Sequence, residues 1–146
     1  MYRVLAVFIL LFVGNTLVAD DDVLAEKLVA SKKRSDMTYK QLMQRMGVAY
    51  EMMQNGVINQ NKELVRLGAS MIKNHPAPKY KPWTIVKQEN QMRFKQTLLA
   101  YDKLLHASVD DIEKSLQDVK NDWSGVNKSV YALSNNCVSC HSVWKR

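Results

Sequence analysis

Strand-like alternation of apolar and polar residues is missing from this chain, and so are internal repeats and low-complexity tracts. A sheet-based domain and a solenoid are therefore excluded as its organising principle. Proline is scarce and confined. Pro76, Pro78 and Pro82 all fall between His75 and Pro82, which marks that stretch as an ordered or semi-ordered connection. No apolar run reaches the about 20 residues that a bilayer-spanning helix needs; the run from Val4 to Val13 stops at ten. Lysine and arginine are scattered apart from Lys32-Lys33-Arg34, which argues against a nucleic-acid partner. Cysteine is scarcest of all: Cys137 and Cys140 are the only two.

The first nineteen residues have the layout of a secretory signal peptide. Arg3 forms a positive n-region, Val4 to Val13 is the apolar core, and Gly14 to Ala19 is a small and polar exit. The alternative is an uncleaved membrane anchor, since Leu17 is not the ideal small residue three before the Ala19–Asp20 junction. Removing Arg3 from the 21 basic residues leaves 20 against 14 acidic ones, so Asp20 to Arg146 carries a net charge of +6. Residues 20–34 open on three aspartates and close on three basic residues, and are expected to be a flexible leader.

Four amphipathic segments follow. The first is expected from Ser35 or Asp36 to Asn55, with Gly56 after its end and Tyr39, Leu42, Met43, Met46, Tyr50 and Met53 as its stripe. The second, from Gln60 to Asn74, presents Leu64, Leu67, Gly68, Met71 and Ile72 and stops at His75-Pro76. The third is expected from Thr84 to His106, with Phe94, Leu98, Tyr101 and Leu105 on one face. Ser108 and Asp111 then stand in capping-box positions for a fourth, from Val109 to Trp144. In it Ile112, Leu116, Val119, Trp123, Val126, Val130, Leu133, Cys137, Cys140 and Trp144 alternate steps of four and three. The expectation is an all-α, antiparallel four-helix bundle spanning residues 35–146.

Both cysteines lie on that seam, within Cys137-Val138-Ser139-Cys140-His141. This spacing is what covalent attachment of haem c requires, with two thioethers on one helical turn and His141 as the proximal iron ligand. A thiol redox pair usually sits where a strand meets a helix, and no such unit surrounds these residues. Zinc would want four ligands, and His75 and His106 lack the paired spacing of a zinc finger. Those two histidines are read as solvated residues at helix ends.

With its tail His141-Ser142-Val143-Trp144-Lys145 and the stretch Met43-Gln44-Arg45-Met46-Gly47, the sequence resembles the class II cytochromes c, the cytochrome c′ and cytochrome c556 group. The resemblance implies one haem c per chain, attached to the last helix, and a distal neighbour on the first. Against the family pattern Arg-Gln-x-x-Met-x-x-Met-Gly, Met43 takes the distal ligand position and Met46 the second methionine. Tyr39 stands where family members often carry an arginine near a propionate. Tyr39, Met46 and Trp144 are thus expected around the haem.

If Met43 ligates, His/Met coordination suits one-electron outer-sphere transfer. If Met43 only fills the core, the sixth position stays open, as in the members that bind nitric oxide or carbon monoxide. No enzymatic activity is expected, because no distal His/Arg pair is set for oxygen–oxygen cleavage. The implied setting is the bacterial periplasm, with a redox partner protein of acidic surface and no stable membrane insertion after signal cleavage. Some family members also pair as homodimers through their first two helices.

Overall fold

The computed structural model describes residues 20–117 and 122–145. The expected signal peptide, 1–19, and Val119 of the seam lie outside the described residues. The rest is all-helical: α1 over 20–31, α2 (Tyr39–Ile58), α3 (Lys62–Lys73), 3-10 turns at Pro82–Ile85 and Gln88–Asn90, α4 (Gln91–Gln117) and α5 (Trp123–Trp144). None of the described helices is long and apolar enough to cross a membrane.

Residues 20–31 are not a loose leader. They form a helix whose Ala25 is 1% exposed and packs with Trp83 and Phe94. Its acids reach basic and amide groups beyond it: Glu26 pairs with Lys81 at 2.7 Å, Asp21 accepts from Gln96 at 2.9 Å, and Asp22 pairs with Lys95. A docking surface formed far along the chain supplies the order that local propensity could not.

α2 begins at Tyr39 rather than Ser35, because Ser35 is already engaged. Its N–H and hydroxyl both donate to the Ala77 carbonyl, at 3.0 and 2.9 Å. An isolated parallel bridge between Arg34 and Ala77 marks this stitch. Thr38 then caps the helix: its hydroxyl accepts from the Gln41 N–H at 3.2 Å, and Gln41 Oε1 accepts from the Thr38 N–H at 2.8 Å.

Gly56, expected just past the helix, lies inside it against α3; a Cβ there would come within 2.6 Å of Val65 Cγ2. The reversal instead uses Gln60 at φ 51°, and Asn61 caps α3 by accepting from the Leu64 N–H at 3.1 Å. α3 buries Val65, Gly68, Ala69 and Ile72, while Leu67, assigned above to its apolar face, is 53% exposed. The small Gly68 and Ala69 let α2 approach, and that turns the buried face away from Leu67.

The largest departure concerns the last two helices. The 3-10 turns at Pro82–Ile85 and Gln88–Asn90 come first, so α4 starts at Gln91 and continues through His106 and Ser108 to Gln117. Ser108 is a buried residue of its interior, 9% exposed, not a cap. The cap of α5 is Asp122, whose carboxylate accepts from the Gly125 N–H at 3.0 Å. The seam is therefore carried by two helices. Asn136 of α5 donates to Ser108 at 3.1 Å and Trp144 donates to Thr97 at 3.2 Å, so the two run in opposite directions.

α2 packs on α3, α3 on α4, α4 on α5, and α5 also touches α2. Between them lies one core of Ala49, Met53, Val65, Ile72, Val109, Ile112, Leu116, Val126, Val130 and Leu133, every one at most 2% exposed. A second cluster, of Ala25, Trp83 and Phe94, joins α1 to α4.

Candidate functional site

α5 presents the chemistry. Its three- and four-residue steps put Val126, Val130 and Leu133 in the core, and the same face then carries Cys137, Cys140 and Trp144, each half-buried. Both cysteines are free thiols. Burial pushes the Cys137 thiol up, and burial followed by the neighbouring Cys137 pushes Cys140 up. They also sit in the last turns of a helix, whose dipole disfavours an anion. A reactive thiol pair needs the opposite bias. His141 is exposed, and its carbonyl accepts the capping N–H of Lys145 at 2.9 Å.

Tyr39 stands beside Cys140. Burial, and then the nearby Cys140, raise its hydroxyl well above the ordinary tyrosine range. Its ring meets Phe94 edge-on at 6.1 Å, and Phe94 meets Trp144 edge-on at 4.9 Å. Trp144 is further held by its indole N–H on Thr97 and by Arg93 over its ring at 5.5 Å. Tyr39 and Trp144, expected near the cofactor, are thus gathered at the turn that carries Cys140. Phe94, read above only as a core residue, belongs with them.

The two methionines separate. Met46 packs against the main core. Met43 is half-buried and belongs to neither cluster. It follows Tyr39 by one helical turn and so shares its face of α2. The donor set fits haem c: two protonated thiols one turn apart on the core-facing side, an imidazole on the next residue, and aromatic faces alongside. A 670 Å³ cavity lies elsewhere, between α1 and α4, lined by residues such as Leu24, Leu28 and Leu99, and includes neither cysteine.

His75 and His106 are not the solvated helix ends expected of them. His106 lies within α4, and the two rings stack at 6.0 Å and 18°. Asp102 lies between them, 3.2 Å from His75 Nε2 and 3.9 Å from His106 Nε2. Burial raises the Asp102 carboxyl, but its side-chain contacts with His75 and Lys32 and the charges of Lys32 and His106 win, holding it down to about 2. A sequence signal existed in the four-residue step from Asp102 to His106, which puts both on one face of a helix; the position of His75 beside them required the fold.

No family model, no curated protein and no solved structure matches the chain.

Proposed function

We propose that this chain is an exported, periplasmic c-type cytochrome of the class II kind. In this reading α2 to α5 form an antiparallel four-helix bundle, and one haem c is joined to Cys137 and Cys140 with His141 as proximal ligand. The protein carries single electrons to or from a partner protein. The observation that carries the reading is the run Cys137-Val138-Ser139-Cys140-His141 on the last helix, its two cysteines half-buried on the face that carries Val126, Val130 and Leu133. The cyclic packing of α2 to α5 supports the bundle.

When bound, haem c supplies a one-electron iron couple. The chain's own contributions are these. Cys137 and Cys140 would fix the macrocycle to a rigid helix, and His141 would provide an imidazole nitrogen. Tyr39, Phe94 and Trp144 offer a low-dielectric wall that keeps water from one side. Met43, one turn beyond Tyr39, would offer its thioether sulfur to the iron. The excess of basic groups favours docking to an acidic partner surface. The second reading, a gas-binding protein, is favoured by one observation: Met43 sits in a methionine-rich helix that also carries Met46, Met52 and Met53.

Covalent attachment is the test. Intact mass of the purified protein should exceed the polypeptide by one haem, and acid-acetone should leave the colour on the protein. Colour that partitions into the solvent overturns the proposal.

A further inference from the structure

A second constellation of ligand atoms lies where the ends of α1 and α3 meet α4. His75 follows α3, while Asp102 and His106 stand one turn apart on α4. One ligand atom from each lies within 4.8 Å of the other two. We propose that His75, Asp102 and His106 form a site for one divalent transition-metal ion of the zinc, nickel or copper(II) type, and that the Lys32 ammonium competes for it.

The donors select the class. Two imidazole nitrogens and one carboxylate suit borderline ions. Calcium and magnesium want shells of oxygen.

The spacing is close to what such an ion imposes. Bonds of about 2.0–2.1 Å in a tetrahedron hold neighbouring ligand atoms roughly 3.4 Å apart. His75 Nε2 and Asp102 Oδ1 are 3.2 Å apart, and His106 Nε2 is 3.9 Å from Asp102 Oδ2. An ion bound there would draw His106 in by a few tenths of an ångström.

The orientation of His75 is also right. Its Nδ1 lies 3.2 Å from the Pro76 carbonyl, and in the tautomer whose Nε2 accepts from the Lys32 ammonium it donates its proton there. Nε2 is then the lone-pair nitrogen, and it faces Asp102. Such an outer hydrogen bond is how metal-binding histidines are held in one tautomer. The backbone behind His75 is fixed by Pro76 and by Ala77, whose N–H donates to the Lys33 carbonyl at 2.9 Å.

A cation already occupies the point of convergence. Lys32 donates to His75 Nε2 at 2.9 Å and to Asp102 Oδ1 at 3.0 Å. The side chains of Lys32, His75 and Asp102 are 15%, 14% and 19% exposed, and His106 at 33% leaves a way in. An ion entering there must displace Lys32, which releases the end of α1 and clips α3 to α4 instead.

The experiment is a calorimetric titration of zinc chloride into the purified full-length protein, repeated on variants whose fold is checked by circular dichroism. One zinc per chain should bind saturably, and His75→Ala and His106→Ala should each weaken it by about tenfold or more. Lys32→Met should tighten it by about tenfold, because a like charge and a competitor are removed together. A folding defect cannot produce that gain. No saturable binding in either the wild type or Lys32→Met overturns the site. So does undiminished binding in the folded His75→Ala/His106→Ala double variant, which would place the ion elsewhere. Unchanged affinity in Lys32→Met overturns the competition.

Discussion

The side-chain amide of Asn136 donates to the hydroxyl of Ser108 at 3.1 Å. This bond sets the level at which α5 lies against α4, and Ser108 is the buried polar residue of the described core. It makes a test of where α4 ends. In a helix interior alanine is about 1 kcal/mol better than glycine; at an N-cap glycine is better than alanine. Ser108→Ala should cost about 1–2 kcal/mol through the unpaired Asn136 amide, and Ser108→Gly about 1 kcal/mol more. Urea unfolding gives both values, and the reverse order would mean that a helix starts at Ser108.

Gly68 and Gly47 should respond in opposite ways to alanine. A Cβ on Gly68 would press on the Ala49 carbonyl oxygen and come within 2.7 Å of Met53 Cγ, whereas one on Gly47 meets nothing within 4 Å. Gly68→Ala should lose about 1–3 kcal/mol, and Gly47→Ala should gain about 0.4–1 kcal/mol. Thermal melts of the two variants would expose an error in the α2–α3 contact if Gly68→Ala were tolerated.

Acid should weaken the junction at Asp102. Its carboxyl is held at about 2, below the ordinary 3.8, so its contribution is fully present above about pH 4 and is lost as pH falls toward 2. At neutral pH this amounts to about 2 kcal/mol. The stability gap between wild type and Asp102→Asn, measured by denaturant titration, should narrow steadily between pH 4 and 2. A gap that stays constant over that range contradicts the assignment.

Met43 decides between the two functional readings. Met43→Leu keeps volume and apolar character and should cost less than about 1.5 kcal/mol in packing. With Met43 as ligand, the wild type should show the split visible bands of low-spin ferrous haem, and the variant should become high-spin and bind carbon monoxide. A wild type that is already high-spin and binds carbon monoxide as the variant does would put gas binding first.

The Cys137–His141 run needs no fold to be read, because its chemistry is written within one helical turn. Helix type was legible for the same reason: caps and stripes are local. The break between α4 and α5 was not. Leu116, Val119, Trp123 and Val126 keep three- and four-residue steps across it, since two arms facing one core repeat the pattern of a single long helix. Local signs existed in Asp122, a capping residue type, and Gly125, but the Ser108 and Asp111 pair put the helix start earlier. The docking of α1 and the meeting of Lys32, His75 and Asp102 were illegible for another reason. Their partners lie 27 to 75 residues apart, and no periodicity encodes such encounters.

The stitch between Arg34 and Ala77 ties the two ends of the α2–α3 pair together across 42 intervening residues. Closing a loop of that length costs entropy once, and the cost grows only slowly with its size. Everything between the ties then shares one fastening. Amide protons of α2 and α3 should therefore exchange with solvent as a single cooperative unit. A protease cut inside 33–37 would loosen both helices together, while one before residue 32 would leave the fastening whole.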